Sequence, residues 1–145
     1  MKKRVLITGA SSDIGIETVK KFLDHNCSVT AHCNKNTKNL KQIKSKHNEN
    51  LQIYNFDFKK IEKFEKIIKN NKKFFKNFDI FVSLPGYNEP NDFKNINLKK
   101  IIDHLNVNYF SAYLISKEVI LHMAKRNWGR ILFTSSIGTK YGGGE

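Results

Sequence analysis

Residues 4–24, "RVLITGASSDIGIETVKKFLD", constrain the fold more than any other stretch of the chain. Val5, Leu6 and Ile7 form an apolar run without polar alternation, the pattern of a strand buried on both faces. Ile14, Ile16, Val19, Phe22 and Leu23 then recur at helical spacing, which predicts an amphipathic helix. Only the small-residue turn from Gly9 to Gly15 separates the two elements. Gly9 allows a tight bend there, and Gly15 lets helix and strand approach closely. A strand that passes through such a turn into a helix gathers the helix's first backbone N–H groups at one point, where an anion is favoured.

The same alternation continues along the chain. Strands are predicted at Arg4–Thr8, Ser28–His32, Leu51–Phe56, Asp79–Ser83 and Arg130–Ser135. Helices are predicted at Asp13–Asp24, Thr37–His47, Lys59–Phe75, Leu98–Leu105 and Val107–Lys125. In the third helix Ile61, Phe64, Ile67 and Ile68 make an apolar face among lysines and glutamates. Strands and helices in alternation call for an α/β fold, a doubly wound parallel sheet with helices on both faces, in one domain spanning residues 1–145. The one long turn-rich loop, "PGYNEPND" from Pro85 to Asp92, follows the fourth strand at the carboxyl edge, where such folds bind ligands.

Charge excludes less than it suggests. The chain has 26 Lys and Arg against 13 Asp and Glu, a net charge of +13. Most of the excess is lysine on helices such as "KKIEKFEKIIKNNKKFFKN", the pattern of solvated faces. No helix-turn-helix, zinc-finger or RNP-type motif accompanies it, so no nucleic-acid partner is expected. No apolar run approaches the length that spans a bilayer, so no membrane partner is expected. Cys27 and Cys33 stand at the two ends of one predicted strand, roughly 20 Å apart if extended, too far to bridge. Free cysteines and the lack of a signal peptide fit a reduced, cytoplasmic protein. The five histidines show no ligand spacing, and no metal site is expected.

"TGASSDIG", Thr8 to Gly15, resembles the TGxxxGxG signature of the short-chain dehydrogenase/reductases, and the overall pattern resembles their 3-oxoacyl-carrier-protein reductase branch. The resemblance implies a Rossmann-type sheet and an NAD(P)-dependent oxidoreductase acting on a small carbonyl or hydroxyl substrate. It implies that Gly9, Ser11, Ser12, Asp13, Ile14 and Gly15 hold the cofactor's pyrophosphate. Asp13 stands where the family usually has its middle glycine. We read it as a variant whose carboxylate either caps the helix or weakens anion binding.

In dinucleotide folds an acidic residue about 20 residues past the glycine turn takes the NAD ribose, and a basic one accommodates the NADP 2′-phosphate. No Asp or Glu occurs between Cys27 and Lys46, while Asn34 and Lys35 offer neutral and cationic donors. The cofactor expected is therefore NADP rather than NAD. Lys35 reads equally well as one more surface lysine. At "NFDF" the resemblance implies that Asp57 and Phe58 hold the adenine; Asp57 alone reads as a helix cap. In "DIFVSLPG" Ser83, Leu84 and Pro85 replace the family's Asn-Asn-Ala, and Gly86 keeps the bend beside the cofactor.

Asn108 falls on the family's catalytic Asn, which disturbs its helix and holds a water in the proton relay. Ser136, in "FTSSIG", falls on the Ser that orients the substrate carbonyl. The family's Tyr-x-x-x-Lys pair, in which the Lys charge lowers the pKa of the Tyr acid, is expected further downstream than the nine residues that follow Ser136. Tyr141 lies too close to Ser136 to be that Tyr. The resemblance thus covers nearly all of this chain but roughly three-fifths of the family domain. It implies an N-terminal piece that is inactive by itself, with an open strand edge at "RILF", from a longer protein that forms a homo-oligomer. A non-catalytic dinucleotide-binding remnant or regulator is the alternative.

Overall fold

The structure, a computed structural model, describes residues 2–47, 49–89 and 92–142. Pro90 and Asn91 of the predicted loop, and Gly143 to Glu145 of the terminal glycine run, lie outside the described residues. The described chain forms one five-stranded parallel sheet with helices on both faces, a Rossmann-type α/β fold. Strands β1 (Arg4–Thr8), β2 (Ser28–Cys33), β3 (Leu51–Asn55), β4 (Ile80–Ser83) and β5 (Arg130–Phe133) lie in the order β3-β2-β1-β4-β5.

Side-chain alternation along β1 feeds two different cores. Val5 and Ile7 face α1 (Asp13–Asp24) and α2 (Lys38–Lys46) in a largely aliphatic layer with Val19, Leu23, Val29 and Leu40. Leu6 faces the other way, into an aromatic layer of Phe58, Phe64, Phe75, Phe78 and Phe81. That layer is covered by α3 (Ile61–Asn70), α4 (Lys72–Phe75) and α6 (Ser111–Lys125).

The predicted helices differ from the observed ones in two stretches, each marked by an asparagine whose side-chain amide donates to a main-chain carbonyl. The predicted helix Lys59–Phe75 starts two residues late, after a turn in which the Asp57 carboxylate accepts from the Lys59 N–H at 3.1 Å. It then breaks at Asn71, whose Nδ2 donates to the Ile67 carbonyl at 2.8 Å, and resumes as α4. The predicted helices Leu98–Leu105 and Val107–Lys125 are instead one continuous rod. The first part, α5 (Leu98–Leu105), passes through a π-helical turn, Asn106–Phe110, into α6. Asn106 is buried inside that turn and donates from Nδ2 to the Lys59 carbonyl at 3.2 Å. A further short helix, α7 (Gly138–Tyr141), follows β5.

At the amino edge of the sheet a polar staple fixes where β1, β4 and α6 meet. Asp79 accepts from the Arg4 N–H at 2.7 Å and pairs with the Arg126 guanidinium, which also donates to the Phe78 carbonyl at 2.9 Å. β4 begins at Ile80, one residue after the predicted start, while the Asp79 N–H still donates to the Arg4 carbonyl at 2.8 Å. β5 ends at Phe133, short of the predicted Ser135, where the Thr134 N–H and hydroxyl both donate to the Ser83 carbonyl at 3.2 Å. β5 forms an edge of the sheet, with Leu132 and Phe133 exposed.

Candidate functional site

β1 pairs with β2 on one side and β4 on the other, so the chain leaves β1 in one direction and returns to its opposite flank. Connections that diverge in this way leave a crevice at the carboxyl ends of the two strands. Gly9 builds one side of it. Its φ is +69°, and a Cβ there would lie 2.7 Å from the backbone of Leu84 and Pro85, so only glycine lets the turn lie on the loop leaving β4. At Gly15 a Cβ would lie 2.6 Å from the Gly9 carbonyl, and its absence lets α1 start directly on the turn.

Ser12, not Asp13, caps α1. Its Oγ accepts from the Gly15 N–H at 3.1 Å and donates to the Gly9 carbonyl at 3.0 Å. Asp13 is the first residue of the helix and projects outward. With Ile14 it borders a shallow depression on the outer side of α1, beside Glu17 and Lys21, away from the crevice. The turn is tied to β2 by the Ala10 N–H, which donates to the His32 carbonyl at 2.8 Å. The N–H groups of Ser11, Asp13 and Ile14 meet no acceptor among the described residues. Three free donors at the positive end of a helix make a cradle for an anion.

Seven of the residues read from the sequence, Gly9, Ser11, Ser12, Asn34, Asp57, Phe58 and Gly86, line one groove of about 310 Å³. Gly86 borders it without needing to be glycine, since a Cβ would meet nothing within 4 Å. Lys35 is exposed and does not line the groove, nor do Asp13, Ile14 or Gly15. Sequence reasoning passed over His32, Asn36, Lys59 and Tyr87, which do. Asn36, Lys59 and Tyr87 each sit directly beside a residue already singled out, and loop neighbours share a wall; His32 was read only as part of a strand.

His32 forms the floor. Its ring stacks on Phe58 with centroids 4.1 Å apart, and Nε2 lies 2.9 Å from the Phe56 carbonyl. A carbonyl only accepts, so the proton sits on Nε2 and Nδ1 is left a buried acceptor with no partner. Burial pushes the imidazole down to about 4, against a smaller upward pull from the Phe56 carbonyl. His32 is therefore neutral at pH 7.

A second cavity of about 290 Å³ lies beside the ends of β4 and β5, between Ser83, Asn108, Tyr113 and Phe133. Asn108 sits in the π turn, where the helix departs from regular geometry. Its Oδ1 accepts from the Tyr87 N–H at 2.7 Å and its Nδ2 donates to the Tyr87 carbonyl at 2.9 Å, so one amide grips both main-chain groups of one residue. Ser136 lies just past β5, exposed, and its Oγ accepts from the Gly138 N–H at 3.2 Å. The substituted segment is held as well: the Leu84 N–H donates to the Thr8 carbonyl at 3.1 Å, and Ser83 is buried against Thr8.

Among the described residues no group of three or more His, Cys, Asp or Glu is placed to hold a metal, and Cys27 and Cys33 are buried and free. No helix of the described residues is long and apolar enough to cross a membrane.

The family model described as short chain dehydrogenase matches residues 3–145. The chain belongs to the short-chain dehydrogenase family. NAD(P) dependence is general among these oxidoreductases. An uncharacterized oxidoreductase of Schizosaccharomyces pombe is 30% identical over 138 residues, which cover 94% of this chain and 46% of that protein. A short-chain dehydrogenase from Streptomyces avermitilis matches with a TM-score of 0.83 at 18% identity, over 97% of this chain and 51% of that one. ElxO, solved with NADP bound, matches with a TM-score of 0.75 at 28% identity, over 94% of this chain and 56% of that one. The short-chain dehydrogenase chain studied thus spans about half the length of these proteins.

Proposed function

We propose that the groove at the ends of β1 and β4 holds NADP, and that the protein of which this chain is part transfers hydride between the nicotinamide and a small carbonyl or hydroxyl substrate. The observation that carries the reading is the glycine turn: the Ser11, Asp13 and Ile14 N–H groups meet no acceptor among the described residues, and Gly9, Ser11 and Ser12 of the same turn line the groove that Asn34 and Asp57 border. Gly9, Ser11 and Ser12 line the pyrophosphate end, with the Asp13 and Ile14 N–H groups, rather than their side chains, as donors. Gly15 acts by letting α1 approach.

Asn34, with Asn36 beside it, faces the ribose 2′ position, and no carboxylate stands at the end of β2 to repel a 2′-phosphate. Lys35 adds charge from outside the groove. Asp57 and Phe58 border the base end, with Gly86 opposite. The cofactor, when bound, supplies or accepts the hydride. The cavity beside β4 and β5 is the place for the substrate; Thr134 lines it, and Ser136, two residues further along, supplies the hydroxyl that orients a carbonyl. Asn108 sets the wall between substrate and cofactor by fixing Tyr87.

The test is a fluorescence titration of NADPH and of NADH into the protein made from its intact gene. NADPH is expected to bind about tenfold more tightly. Tighter NADH binding overturns the NADP assignment, and no binding of either overturns the reading of the groove.

A further inference from the structure

Two loops wall the base end of the groove, one after β3 and one after β4, and the side chains of Lys59 and Tyr87 join them. Lys59 Nζ lies 3.8 Å from the centroid of the Tyr87 ring, and both residues border the groove. Each partner is anchored a second time to the rod formed by α5 and the π turn. On the Lys59 side, the main-chain carbonyl accepts from Asn106 Nδ2 at 3.2 Å, and Nζ lies 3.9 Å from the Asp103 carboxylate. On the Tyr87 side, Asn108 holds the main chain, the ring packs on His104 with centroids 4.7 Å apart, and the hydroxyl donates to Glu89. Glu89 in turn lies 3.5 Å from Lys100 Nζ.

The rod needs these ties, because α5 buries none of its own residues. The π turn is seated by Val107, which packs on the aromatic layer, so α5 itself is held by its continuity with that turn and by ion pairs and hydrogen bonds. The contact between ammonium and ring is at the rim, with Lys59 half-buried. Contacts of this kind change an equilibrium only a few-fold, so this one can open and reclose readily.

We propose that Lys59 and Tyr87 form a clasp across the base end of the groove, and that opening of this clasp sets the residence time of a bound dinucleotide. The inference rests on the groove being the dinucleotide site. It makes Lys59 and Tyr87 positioning residues: they retain the base half by joining the loops on either side of it, and the rod of α5 and the π turn keeps them in register.

Stopped-flow fluorescence with NADPH tests the clasp in the protein made from its intact gene, comparing wild type with Lys59→Met, Tyr87→Leu, the double variant and Tyr87→Phe. Either single substitution is expected to speed dissociation about three- to fivefold and to change association less than about twofold. The double variant should speed dissociation by less than the product of the two single effects, because the contact they share is lost only once. Tyr87→Phe keeps the ring face and should restore slow release, which a merely structural loss would not. Thermal unfolding confirms that each variant is folded, and Lys59→Met carries the test if Tyr87→Leu is not. Dissociation unchanged from wild type in Lys59→Met and Tyr87→Leu, where the wild type binds NADPH, overturns the clasp alone. So does faster association with unchanged dissociation, which would make the contact an obstruction. A wild type that binds neither NADPH nor NADH overturns the dinucleotide site and the clasp with it.

Discussion

The two walls of the groove are built by opposite means. The wall at the end of β1 is local: Gly9, Ser12 and Gly15 bond to or pack on one another within a few residues, and the turn is complete once the chain has entered α1. The wall at the end of β4 is remote, for Tyr87 is held by Asn108, 21 residues away, and by Lys59 from a different loop. A local wall can be read as a motif and fails when one residue lacks room. A remote wall leaves little local trace and fails by degrees as its ties are cut.

The largest effect should come from forcing the local wall. Gly9→Ala places a Cβ against the Leu84 and Pro85 backbone at a left-handed φ, and is expected to cost about 3 kcal/mol or more. Chemical denaturation should show it, together with loss of NADPH binding. A cost under about 1 kcal/mol would mean that the two walls are not packed together as described.

Next is the floor that joins the local wall to β2. The folded protein holds His32 at about 4, while the unfolded chain protonates it near 6.5, so protonation favours the unfolded state. The stability tied to neutral His32 is full above pH 6.5 and is lost as pH falls from 6.5 to 4, by up to about 3 kcal/mol. Denaturation midpoints of wild type and His32→Phe across that range separate this slope from that of the carboxylates. Parallel curves would show that His32 does not titrate as a buried neutral ring.

The sharpest comparison is between one tie in each wall. Ser12→Ala removes the helix cap and should cost about 1 kcal/mol of stability. Asn108→Ala removes two hydrogen bonds at an exposed site, where water replaces them, and should cost no more than about 1 kcal/mol. Its mark should be local instead, as faster amide exchange at Tyr87 with the turn at Gly9 unchanged. Equal loss of protection at both walls would abolish the distinction.

This difference also explains what could be read from the sequence. β1 and α1 appear with their predicted bounds, because an apolar run, a glycine turn and a helical period are all short-range signals. The break at Asn71 was missed, although its amide bonds a carbonyl only four residues back, whereas the disturbance that the resemblance implied at Asn108 is present as the π turn, whose Asn106 finds its acceptor in a distant loop. Asp13 was expected at the cap or against the anion; the capping geometry goes to Ser12, and the first helical residue turns away from the groove.

By itself, the sequence determined the alternation of strand and helix, the apolar run of β1 and the glycine turn that gathers the first N–H groups of α1 at one point. These depend on period, volume and backbone freedom, which act between neighbours along the chain. The tertiary structure alone decided that His32 is buried and neutral, that Asn108 grips the backbone of Tyr87, and that Lys59 meets the Tyr87 ring. Those contacts join segments far apart in the chain, and they exist only because packing of the sheet and its helices brings the carboxyl ends of β3 and β4 beneath one helical rod.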